Sequence, residues 1–123
     1  QGVALVDIGA TTSDLIIFKE RAIRWTAFVG VGSHHITNDL AIAIHTPIAY
    51  AEEIKLNIGK YDDDDIVEVP LIGDEENSQT ISISTIKEIM NARINEILLI
   101  LNKLIEDSHL KDSLAGIVLT GGF

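Results

Sequence analysis

Cysteine is absent from the 123 residues, which removes disulfide staples and thiolate metal sites and fits a reducing compartment. Basic residues are scarce as well. Nine Lys and Arg stand scattered among nineteen Asp and Glu, giving a formal net charge of −10. Phosphate backbones are bound through clustered cations, so this balance argues against nucleic acid as a direct partner. Long apolar runs are missing too: Ile97 to Leu101 falls far short of the ~20 residues needed to cross a bilayer, and no stretch reads as a targeting signal. What remains is one domain's worth of material with a modest core. Gln1-Gly2 leads straight into a strand-like run and Phe123 ends on a ligand-type loop, so a piece of a larger protein is expected.

The chain is organised around its first turn. Val3 to Val6 is an apolar run expected to be a strand buried on both faces, and it delivers Asp7 and Gly9 at its carboxyl end before Leu15 to Phe18 begins a second strand. Gly9 can bring backbone N–H groups close to an anion, Thr11 and Thr12 add hydroxyl donors, and Asp7 can hold a hydrated Mg²⁺. A β-hairpin whose Thr, Ser and Asp simply satisfy the turn explains the same residues. At the other end, Gly116 to Leu119 runs into Thr120-Gly121-Gly122-Phe123, a second strand that ends in a glycine bend.

Between these ends the pattern alternates. Lys19 to Arg21 is a charged turn into Ala22–Val29, where Ile23, Trp25, Ala27 and Val29 are expected to share one face of a three-stranded meander. Ile36, Leu40 and Ile44 have helical spacing, with Ser33 expected as the N-cap. His34 and His35 are adjacent and point to different faces, so they do not make a metal pair. Thr46-Pro47 reads as a hydroxyl cap and a first-turn proline for a helix running to Gly59, with Ala51, Ile54 and Ile58 inside and Glu52 and Lys55 as a solvated pair. Asp62 to Asp65 lacks the spacing of a calcium loop and reads as a turn. Ile66 to Ile72 and Thr80 to Ile83 read as a small hairpin around an acidic turn, Gly73 to Ser78. Ser84 is expected to cap a long helix carrying Ile86, Ile89, Met90, Ile94, Ile97, Leu98, Leu101, Leu104 and Ile105, with Arg93 paired to Glu88 or Glu96.

Val6-Asp7-Ile8-Gly9 followed by Thr12 resembles the second phosphate motif of the actin, Hsp70 and sugar-kinase superfamily, and Leu119-Thr120-Gly121-Gly122 resembles its adenosine motif. Within that superfamily the whole chain resembles the bacterial FtsA family, through Val29 to Gly32, Ile36 to Pro47, Ala51 to Lys55 with Gly59, Ile89 to Ile97, and Leu119 to Gly122. The resemblance implies an α/β, actin-like (ribonuclease H-like) ATPase lobe: a mixed sheet packed by helices, with a small β-hairpin subdomain. Residues 1–45 and 107–123 would form its nucleotide-gripping subdomain and 46–106 the smaller companion.

The same resemblance implies ATP and Mg²⁺ as cofactors. Asp7, Gly9, Ala10, Thr11 and Thr12 would face phosphates, with Asp7 on the metal through water; Glu52 and Lys55 would face the adenosine, and Gly121 and Gly122 the base and ribose. Ala10 and Thr11 stand where the family has glycines, and Phe123 replaces another. A Cβ at the first two pushes against phosphate or forbids a positive φ, so at most a weak ATPase is expected. The implied role is a scaffold that binds the C-terminal tail of FtsZ, self-associates into protofilaments and meets other divisome proteins. Its location would be cytoplasmic, peripheral on the inner membrane through a segment absent from this chain. A PilM-like pilus-assembly scaffold is the alternative, followed by a sugar-kinase-type phosphotransferase lobe using the Asp7 loop.

Overall fold

The computed structural model describes residues 1–121, apart from the side chain of Glu75. They form two compact units, one of residues 1–34 with 96–121 and one of residues 35–95.

The first unit is built on a four-stranded mixed sheet. Strands β1 (Gly2–Ile8), β2 (Ser13–Lys19) and β3 (Ala22–Val29) form the meander, and the last strand, β6 (Leu114–Gly121), lies parallel to β1, giving the order β3-β2-β1-β6. Alternation along β1 and β2 sends Ala4, Val6, Ile8, Leu15 and Ile17 into a core completed by Ile97, Leu101 and Ile105 of helix α3 (Ile83–Asp107). The β1 run is therefore buried on one face only: Val3 remains 40% exposed, because α3 covers just one side of the sheet. Trp25 and Val29 of β3 pack on this core as expected, but Ile23 does not. The register shifts so that Ile17 faces Trp25 while Phe18 faces Ile23, leaving Arg24 as the extra residue. One extra residue reverses the parity of a strand, and Ile23 turns outward.

The second unit contains most of helix α1 (Ser33–Ala43), helix α2 (Ile48–Asn57) with a 3₁₀ turn at Ile58–Lys60, the hairpin β4 (Ile66–Leu71) and β5 (Asp74–Ser82), and the first turns of α3. Its core is Leu40, Ile44, Ala51, Ile54, Val69, Ile83 and Ile86. Several expected boundaries shift. Ser33 is the first residue of α1 rather than the one before it. Pro47, whose ring has no polar atom, occupies the N-cap of α2, while the Thr46 hydroxyl donates to the Pro70 carbonyl at 2.8 Å and ties the start of α2 to the hairpin instead of capping it. The acidic stretch lies in β5, and the actual turn is Ile72-Gly73, where Gly73 supplies φ +79°. Ser82 rather than Ser84 caps α3, its Oγ accepting the Thr85 N–H at 3.3 Å.

Candidate functional site

In the first unit the turn after β1 is closed by the Gly9 N–H, which donates to the Thr12 carbonyl at 2.9 Å. Its other side is held by the start of α1. The Ser33 and His34 N–H groups donate to the Gly9 and Ala10 carbonyls, both at 2.9 Å. Beside them the buried Ser13 hydroxyl donates to the Val31 carbonyl at 2.6 Å. Ala10, Thr11 and Thr12 face solvent. Neither Ala10 nor Thr11 has a positive φ, so the two missing glycines put no left-handed strain into the turn.

Asp7 points outward at the carboxyl end of β1. It pairs with Asp14 on β2 and with Thr120 on β6. These three line an open hollow of about 630 Å³ on the outer face of the sheet, together with Leu5, Ile16, Thr26 and Phe28. Ile8 pairs with Gly121, so the end of β1 that leads into the Gly9 turn and the end of β6 are neighbouring strand tips. Gly121 has φ +120°, and a Cβ there would lie 2.2 Å from the Ile8 carbonyl oxygen, so both conformation and space require glycine. Gly122 and Phe123 lie outside the described residues. Asp14 and Thr120 were not among the expected site residues; strand pairing brings them beside Asp7, and alternation within a single strand does not announce that register.

Glu52 and Lys55 belong to the second unit. They are no solvated pair. The Lys55 side chain is 7% exposed and its ammonium lies 3.0 Å from Glu52 Oε2, which also accepts the Thr37 hydroxyl at 2.5 Å. The spacing had hidden this, because Lys55 shares the buried side of α2 with Ala51 and Ile54. Arg93 pairs with Asp39 on α1: Nε and Nη2 donate to the two carboxylate oxygens at 2.7 and 2.9 Å. This bidentate geometry fixes α1 against α3 within the unit. Among the described residues no group of three or more His, Cys, Asp or Glu is placed to hold a metal.

A family model described as "Cell division protein FtsA" matches residues 4–120. The chain is similar to the cell division protein FtsA of Helicobacter pylori, at 38% identity over 98% of this chain and 26% of the relative. It is similar to that of Pseudomonas aeruginosa at 39% over 98% and 30%, and to that of Bacillus subtilis at 34% over 98% and 28%. It therefore spans about 30% or less of these relatives. Among solved structures, MreB 5 of Spiroplasma citri bound to AMPPNP superposes with a TM-score of 0.75 at 21% identity, over 99% of this chain and 41% of that one. A PilM-PilN type IV pilus biogenesis complex gives 0.71 at 16% identity, over 99% and 29%. These likenesses establish the actin-like α/β fold.

Proposed function

Because this chain belongs to the FtsA family of cell division proteins, we propose that it supplies one wall of an ATP site and the partner-docking part of a division scaffold. The adjacency of the Asp7 loop and Gly121, on paired strand tips, carries this reading.

The residues fit a nucleotide with Mg²⁺. Asp7 offers an outward carboxylate with Asp14 directly opposite, a like-charge pairing that a hydrated cation offsets. Thr11 and Thr12 offer exposed hydroxyls, and the absence of a Cβ at Gly121 keeps the second bend tight against β1. Glu52 and Lys55, ordered by Thr37, would face the adenosine, and Gly121 with Gly122 the base and ribose. Bound Mg²⁺ would neutralise phosphate charge. In this assignment residues 1–45 and 107–123 grip the nucleotide, while 46–106 present the hairpin and its helices to the FtsZ C-terminal tail.

Hydrolysis would be weak at most, and the scaffold would self-associate and meet other divisome proteins at the cytoplasmic face of the inner membrane. Membrane contact would be made by a segment outside this chain, as the family resemblance implies; no helix among the described residues is long and apolar enough to cross a membrane. At 16% identity the PilM structure bears on fold alone, and the family match takes precedence. Two titrations test the reading. Calorimetry with an FtsZ C-terminal peptide should give saturable heat and NMR shifts confined to residues 46–106 without ATP. Titration with a fluorescent ATP analogue and Mg²⁺ should shift the amides of residues 9–12. Silence in both at millimolar ligand would refute the proposal.

A further inference from the structure

We infer that Gly32 and Ser13 are positioning residues for the phosphate loop, acting by fastening the first turn of α1 to the back of that loop so that its front presents two amide donors. The inference rests on the nucleotide reading above for its ligand, but its geometry stands on the chain itself.

Peptide planarity sets the direction of the loop's donors. Every described peptide bond is trans, and in a trans peptide the carbonyl and the following N–H point in opposite directions. The Gly9 carbonyl is aimed at the Ser33 N–H, so the Ala10 N–H points away from α1. The Ala10 carbonyl is aimed at the His34 N–H, so the Thr11 N–H does the same. Two successive N–H groups on one side of a turn form a concavity suited to an anion. The helix start thus orients the loop through its carbonyls, which explains how Ala10 and Thr11 can replace glycine without removing the donors.

This fastening leaves no room for a side chain at position 32. A Cβ on Gly32 would lie 2.4 Å from the Gly9 oxygen and 2.6 Å from both the carbon and the oxygen of the Ala10 carbonyl, all backbone atoms that cannot rotate aside. Gly32 has no positive φ, so the requirement is one of space and not of conformation. Gly30, two residues earlier, is the natural control, because a Cβ there meets nothing within 4 Å. Ser13 adds the third tie, through the Val31 carbonyl next to Gly32.

The test compares Gly32→Ala, Ser13→Ala and Gly30→Ala by amide NMR of the ligand-free chain, thermal melting, and titration with a fluorescent ATP analogue and Mg²⁺. Gly32→Ala is expected to move the Ala10 and Thr11 amide resonances and speed their hydrogen exchange, and to weaken nucleotide binding at least tenfold. Ser13→Ala should move the same two amides less, with the core resonances of Val6 and Leu15 retained, and it keeps the question decidable if Gly32→Ala does not fold. Gly30→Ala should match the wild type in every measurement. Unchanged Ala10 and Thr11 amides in both Gly32→Ala and Ser13→Ala would overturn the inference, as would equal effects from Gly30→Ala. A wild-type chain that binds no nucleotide while Gly32→Ala still disturbs these amides would instead overturn the nucleotide reading and leave the fastening intact.

Discussion

Glu20 and Arg21 form the two-residue turn between β2 and β3, and both have positive φ, at 55° and 65°. Such a turn matches the twist of the strands but favours Asn and Gly, and a non-glycine residue in the left-handed region costs about 1–2 kcal/mol. Arg21→Gly should therefore stabilise the chain by about 0.5–1 kcal/mol after the added chain entropy of glycine is subtracted, read as a higher urea midpoint. Gly121 presents the opposite case. Gly121→Ala introduces a Cβ that collides with Ile8 in a conformation unsuited to alanine, and a loss of about 3 kcal/mol or more is expected by the same measurement. Both positions read as turns in the sequence. Which of them tolerates a side chain was not legible, because φ is set by how the flanking strands pair.

At the scale of elements, α3 is the clearest case of pattern and outcome agreeing in part. Its apolar periodicity placed Ile86, Ile97, Leu101 and Ile105 inside, and all four are buried. The same periodicity placed Leu98 inside, yet it is 42% exposed and lines a hollow with Ile117 and Leu119 of β6, the strand at the end of the sheet order. The start of α3 rests on one hydroxyl. Ser82→Ala should cost about 1 kcal/mol and lower the melting temperature, whereas Ser84→Ala should leave it unchanged, since Ser84 is not the residue that accepts the Thr85 N–H. The β3 bulge at Arg24 shows a different limit. Period-two alternation holds only while the register does, and nothing in the order of residues from Ala22 to Val29 announces the slip.

Across the whole molecule, charge and exposed apolar surface oppose each other. Phe28 on the outer face and Ile117, Val118 and Leu119 along β6 are all at least half exposed, and β6 lies at the edge of the sheet. An apolar edge strand is a template for pairing, while the net charge of −10 keeps copies apart. The chain should therefore self-associate as salt is raised from about 0.01 to 1 M, over which the screening length falls from about 30 to 3 Å. Light scattering at increasing salt should show the rise in mass, and Val118→Lys should suppress it; a constant monomer mass throughout would contradict the expectation.

The order of residues by itself determined the local elements and the chemistry available to them: two glycine bends after apolar strands, an amphipathic helix with two cores' worth of apolar positions, and an aspartate at a strand end. These are short-range properties, fixed by periodicity and by what each side chain and backbone can adopt. Tertiary structure alone decided which groups meet. Parallel pairing of the first and last strands brought Asp7 beside Thr120 across more than a hundred residues, and packing of Gly32 against the loop turned two carbonyls inward and two N–H groups outward. Lys55 became a buried ion-pair partner in the same way. Such outcomes depend on register and close approach between distant segments, which no local pattern encodes.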